Sequence, residues 1–125
     1  MELLLDTHVL LWWLMDDARL SDKARGLIAD PENTVFASAA SAWEIAIKHA
    51  LGRLTIEGAL DAVVSDEGFV TLPISFTHTL ETQALPPIHH DPFDRMLVAQ
   101  ARVEALHLLT ADLRVLQYPA PLISC

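Results

Sequence analysis

Five acidic residues draw attention by type and setting: Asp6, Glu44, Asp91, Asp94 and Asp112. Asp94 is the most informative. It lies in HHDPFDRMLVAQA, residues 89–101, where two histidines and two aspartates lead into a mostly apolar helical stretch. Continuing the helical face of Asp94 reaches Val98, Ala101 and Ala105, whereas Arg95 and Arg102 mark a different, wetter face. A carboxylate at the head of an apolar stripe points inward, and an inward carboxylate needs a partner. A cation is the obvious one. Converging carboxylates without matching lysines favour Mg²⁺, with Mn²⁺ as the alternative, because both are hard ions that take oxygen ligands. The only lysines are Lys23 and Lys48. Zinc fits less well: the lone cysteine, Cys125, is terminal, no HExxH or CxxC spacing exists, and His89 and His90 are adjacent.

Each acid also has an ordinary structural role open to it. Asp6 or Thr7 can cap the helix after the first strand, and Asp112 the short helix that follows it. Glu44 and Lys48 are spaced for an i, i+4 surface ion pair. Asp91 stands before Pro92, which suits a helix N-cap. Asp94 can serve as the third-position acid of a capping box, although glutamate is preferred there.

The surrounding elements decide whether these acids can meet. Strands are expected at ELLL (2–5), TVFAS (34–38), FVTLPI (69–74), HLLT (107–110) and the closing PLISC. Helices are expected at VLLWWLM (9–15), SDKARGLIA (21–29, with Ser21 as N-cap), SAWEIAIKHAL (41–51, stopped by Gly52) and GALDAVVSDE (58–67). Further helices are expected over 76–84, PFDRMLVAQARVEAL (92–106), and a short one after Asp112. This alternation predicts an α/β sandwich with a mainly parallel sheet. Such sheets gather ligands at the carboxyl ends of their strands. Asp6 directly follows the first strand, and Asp112 lies just past HLLT. Glu44 sits in the first turns after the second strand, and Asp91 and Asp94 begin a helix that returns antiparallel to the sheet. One rim of the sheet should therefore collect the carboxylates.

Composition bounds the possibilities. At 125 residues and 52% hydrophobic, the chain suits one domain, residues 1–125, with a packed core. A formal net charge of −9 disfavours broad, nonspecific binding to nucleic acid. It leaves room for a nucleic-acid enzyme whose acids are neutralised by metal. One cysteine allows no internal disulfide, so a reducing cytoplasm is expected. The apolar start LLLDTHVLLWWLM is broken by Asp6 and His8 and has no basic leader, so it reads as neither a signal peptide nor a membrane span. No GxGxxG or P-loop is present.

Taken together, LLLDTHVLLWWL, SAWEIAIKHALGRL, LPPIHHDPFDRMLVAQA and LLTAD resemble the PIN-domain ribonucleases, and within them the VapC-type toxins of bacterial toxin–antitoxin pairs. The ordered set is specific, and the HHDPFDRMLVAQA block most of all. The resemblance implies a PIN-like three-layer sandwich with a five-stranded sheet in the order 3-2-1-4-5, flanked by helices. It implies that Asp6, Glu44, Asp94 and Asp112 form a metal-binding catalytic quartet. Thr110 corresponds to a frequent hydroxyl beside the last acid, and Asp91 matches a position common in the subgroup. Lys48, Arg53 and Arg95 are the nearest candidate phosphate contacts.

The implied reaction is metal-assisted hydrolysis of RNA phosphodiesters, leaving a 5′-phosphate and a 3′-hydroxyl. The implied partners are a small antitoxin and a second copy of the chain. The adjacent Trp12 and Trp13 point about 100° apart on an all-apolar helix, so at least one is expected in such a contact. Two rivals belong to other classes. A phosphoacceptor domain also places an Asp after its first strand, but it normally needs a late lysine, and none follows Lys48. A catalytically silent module could use the acids only to receive a partner's arginine.

Overall fold

The computed structural model describes residues 1–125. The strands are β1 (Glu2–Leu5), β2 (Thr34–Ser38), β3 (Val70–Leu72), β4 (His107–Thr110) and β5 (Leu122–Ser124). The helices are α1 (Thr7–Leu14), α2 (Asp22–Ala29), α3 (Ala39–Ala50), α4 (Leu60–Asp66), α5 (Phe76–Ala84) and α6 (Pro92–Glu104), with a 3₁₀ turn at Val115–Gln117. The sheet runs β3-β2-β1-β4-β5, the expected order, and every pairing is parallel.

A parallel sheet covered on both faces needs strands that are apolar on both faces. The strand residues divide between two cores with the period of two that a strand imposes. Leu3, Leu5, Val35, Ala37 and Leu109 face one core, beneath Val9, Leu10 and Leu11 of α1, Ala24 and Ile28 of α2, and Val64 of α4. Leu4 and Leu108 face the other, beneath Leu97, Val98, Ala99 and Ala101 of α6, with Leu85, Val115 and Tyr118. Helices on both faces of the sheet make the three-layer α/β sandwich. No helix is long and apolar enough to cross a membrane.

Local chemistry sets most boundaries. Ser21 caps α2 through Ala24 N as expected. α3 starts at Ala39, two residues ahead of the sequence-based expectation, because the Ser38 hydroxyl accepts from Ala40 N and caps the helix at the strand end. β3 stops before Pro73, which has no N–H to continue a ladder. α6 ends at Glu104 rather than 106, since Ala105 adopts φ 55° and its N–H returns to Ala101 O. That is a left-handed terminus made without glycine.

Trp12 and Trp13 are both half-buried and packed against their own core. Trp13 Nε1 donates to Glu67 Oε2 at 3.1 Å, and Arg19 lies over the Trp12 ring at 5.4 Å. The tryptophan that faces solvent is Trp43.

Candidate metal centre

β1 and β4 are neighbours, while β2 lies on the opposite side of β1. The chain thus leaves β1 in one direction and returns to its other side, which opens a crevice at the carboxyl ends of β1 and β4. Asp6 and Asp112 flank that crevice. Asp6 N donates to Leu109 O at 3.1 Å, stitching the end of β1 to β4. The Asp6 side chain then works in two directions. Oδ1 accepts from Val9 N at 2.9 Å and caps α1, while Oδ2 accepts a short hydrogen bond from the Thr110 hydroxyl. Thr110 Oγ1 also accepts from Asp112 N at 3.1 Å. One buried hydroxyl therefore ties the two acids of the crevice together.

Asp94 arrives from the other layer. Asp91 caps α6 by accepting from Phe93 N at 2.8 Å and Asp94 N at 3.1 Å, so this residue is occupied as a helix cap. The cap folds the preceding residues back over the first turn of α6. His89 Nε2 consequently meets Asp94 Oδ2 at 2.8 Å. His89 is 8% exposed, and it is held at its backbone by Tyr118, whose hydroxyl both accepts from His89 N and donates to His89 O. Ligating atoms of His89, Asp94 and Asp112 all lie within 4.8 Å of one another. Val98 and Ala101 continue the buried face below Asp94, as expected, but Ala105 lies beyond the helix and is exposed.

Burial and mutual repulsion mark this group electrostatically. Asp6 is raised above the ordinary carboxylate value, first by desolvation, with Asp112 adding to it. Asp94 is raised to about 6, again first by desolvation, against the bond from His89 and with Asp91 and Asp6 repelling its charge. Asp112 goes the other way: its partial burial pushes it up, but bonds from the Arg114 N–H and guanidinium, with His89 nearby, hold it below the usual range. Carboxylates withdrawn from water and set against one another's charge favour a cation. Three aspartates on one crevice form the oxygen-rich donor set that Mg²⁺ or Mn²⁺ takes, and the imidazole beside them suits Mn²⁺ better than Mg²⁺.

Glu44 stands at the edge of this set. Its side chain is only 12% exposed and pairs with Lys48 at 3.3 Å, the i, i+4 bridge that its spacing allowed. One turn earlier on α3, Ser41 Oγ accepts from Thr7 Oγ1 at 3.0 Å, which places that face of α3 beside the residue after Asp6. Asp6, Asp94 and Asp112 are thus brought together, with Glu44 on the adjoining helix face.

The candidate phosphate contacts fare differently. Arg53 is exposed in the turn after α3, and Lys48 is engaged by Glu44. Arg95 does not lie on a wet face. Its guanidinium donates to Pro86 O at 3.0 Å, Thr82 O at 2.9 Å and the Tyr118 hydroxyl at 3.1 Å. These acceptors close the loop that carries His89, and they engage both terminal nitrogens of the guanidinium, the fork that would grip a phosphate. Arg102, likewise, pairs with Glu81 at 2.9 Å.

Sequence reasoning passed over His89, treating the histidine pair only as a poor zinc motif. The usable signal was the Asp91-Pro92 cap, which turns the chain so that the residues before it fold onto the first helical turn.

The fold and the matched sequence agree on a family. Residues 3–120 match the PIN domain profile. The chain belongs to the PIN domain family. A search of curated proteins returns no match. Among solved structures, VapBC2 from Rickettsia felis, bound to a DNA fragment from its promoter, superposes with a TM-score of 0.73 at 14% identity, covering 100% of this chain and 99% of that one. DNA-bound VapBC from Salmonella typhimurium gives 0.67 at 15% identity, with 99% and 98% covered. A toxin–antitoxin complex from Klebsiella pneumoniae gives 0.64 at 19%, with 97% and 95% covered. At these identities the likeness is one of fold.

Proposed function

We propose that this PIN domain is a divalent-metal-dependent endoribonuclease, and that it acts as a VapC-type toxin neutralised by a small antitoxin. The observation that carries the reading is the meeting of Asp94, Asp112 and His89, whose ligating atoms lie within 4.8 Å of one another, with Asp6 tied to Asp112 through the Thr110 hydroxyl at the same strand ends. Those three carboxylates, with Glu44 on the adjoining face, would hold the metal. A divalent cation bound there supplies an acidified water and neutralises charge on the phosphate and the leaving oxygen.

The chain's own groups set up that chemistry. Thr110 fixes the rotamer of Asp6 and keeps its Oδ2 hydrogen-bonded. His89 orients Asp94, and the Tyr118 hydroxyl fixes the His89 backbone from which the imidazole projects. Arg114 steadies Asp112 through its backbone N–H at 2.8 Å. Asp94 or Asp112 can accept the proton of the attacking water. RNA as the substrate follows from the family resemblance. The neighbours named as VapBC and toxin–antitoxin complexes support an antitoxin partner, and a homodimer follows from the family resemblance alone.

The test is incubation of the purified chain with total cellular RNA, with Mg²⁺ and with excess chelator, followed by mapping of the ends. Cleavage only with Mg²⁺, leaving 5′-phosphates and 3′-hydroxyls, is the expected result. Equal cleavage with chelator, or by Asp94→Asn, overturns the reading.

A further inference from the structure

A partly exposed aromatic pair sits on the two helices that carry Glu44 and Asp94, and the metal chemistry does not use it. Trp43 is 62% exposed, whereas Trp12 and Trp13 are half-buried. It does not lie loose on the surface. Its ring meets Phe93 edge-on, with centroids 5.2 Å apart and planes at 71°. Trp43 directly precedes Glu44 on α3, and Phe93 directly precedes Asp94 on α6. The pair therefore spans α3 and α6 beside two of the proposed metal ligands. An edge-on partner fixes the orientation of the Trp43 ring while leaving area open to a flat ligand.

The charges nearby make this pair more significant. Lys48 is bonded to Glu44, Arg95 to backbone carbonyls and Tyr118, and Arg114 to Asp112. Across the chain 8 lysines and arginines face 17 acids. Ordinary nucleic-acid binding gains most of its affinity from cations on phosphates. Here that source is weak, and a strand held only by the metal would be poorly placed. Stacking of a base on an aromatic ring is the uncharged alternative, and it needs a single strand whose bases are free to splay.

We propose that Trp43, oriented by Phe93, is a positioning residue that stacks a base of a single-stranded substrate next to the phosphate at the acid crevice. The inference rests on the nuclease reading above and adds a residue that holds the substrate. Trp43 also begins an exposed apolar row with Ile47 on α3 and Leu51 at its C-cap, so contact with a second protein is the competing use of the ring.

Binding of a short fluorescein-labelled, phosphorothioate-linked oligoribonucleotide is measured by anisotropy in Mg²⁺ for wild type, Trp43→Ala and Trp43→Phe, alongside the same strand without bases. Light scattering follows the mass of each protein. The expected result is binding about ten-fold or more weaker for Trp43→Ala. Trp43→Phe should retain most of the affinity, the baseless strand should bind wild type and Trp43→Ala equally weakly, and the masses should agree. In cleavage assays the loss should fall on KM rather than kcat. Unchanged binding of the intact strand by Trp43→Ala, with wild-type cleavage intact, overturns the stacking alone. So does a loss that accompanies a change in mass, or one that extends to the baseless strand. A wild type that neither binds nor cleaves the strand overturns the nuclease reading and the stacking with it.

Discussion

His89 Nε2 lies 2.8 Å from Asp94 Oδ2, and both groups are largely withdrawn from water. A buried imidazole on a carboxylate fixes that carboxylate's direction. His89→Ala should therefore leave Asp94 in place but less well aimed. Loss of such an orienting partner typically costs 10–100-fold in metal affinity or activity. Mn²⁺ titration by calorimetry should show the weakening, and His89→Gln should recover part of it. Wild-type Mn²⁺ affinity in His89→Ala would show that the imidazole orients nothing.

The raised value of Asp94 predicts two opposite pH trends. In the metal-free protein its carboxyl titrates near 6, against 3.8 for the free side chain. Between those values the folded chain binds more protons than the unfolded one, so this residue's contribution to stability falls as pH rises from about 4 to 6. Metal binding needs the ionised form, so affinity should climb over the same window. Thermal melts and Mn²⁺ titrations from pH 4 to 8 should cross in this way, and Asp94→Asn should flatten the melting trend. A melting curve for wild type that matches Asp94→Asn at every pH would contradict the assignment.

Charge removal within the cluster should separate ligands from caps. Asp6→Asn or Asp94→Asn should abolish Mg²⁺-dependent cleavage while metal-free stability holds or rises, because repulsion between the acids is relieved. Asp91→Asn should be mild, since asparagine caps a helix nearly as well as aspartate. Parallel RNA cleavage and melting of the three variants is the check. Full loss of activity in Asp91→Asn would move that residue from the helix cap into the metal site.

Arg95 should behave as a structural residue. Its guanidinium satisfies Pro86 O, Thr82 O and the Tyr118 hydroxyl, so Arg95→Ala strands partly buried acceptors. Hydrogen bonds to a charged group contribute about 1.5–3 kcal/mol each and are not additive, so a loss of about 3 kcal/mol or more is expected in urea unfolding. A variant with wild-type stability but weakened RNA binding would restore Arg95 as a phosphate contact.

Much of the fold could be read from one dimension because the signals were local or periodic. The consecutive leucines of ELLL and HLLT state burial on both faces, and the intervening helical stretches force parallel crossovers. Ser21 announced its helix, and Asp91-Pro92 announced a cap, through hydrogen bonds that reach only two or three residues along the chain. Asp6 and Asp112 were visible because each follows a strand of such a sheet.

Other features depended on contacts that sequence spacing does not encode. Arg95 sits on a face that helical periodicity marks as wet, yet the returning segment from Thr82 to His89 covers it with carbonyls. The Asp91-Pro92 cap turns His89 back toward Asp94, but the anchor that holds its backbone there is Tyr118, 29 residues further on. Trp12 and Trp13 found cover from Arg19, Glu67 and Phe69, while Trp43 did not. Periodicity states which side chains leave a helix together. Only the packed chain decides which of those faces another segment will cover, because that depends on where distant segments cross, and covering a charge or a ring changes what it can bind.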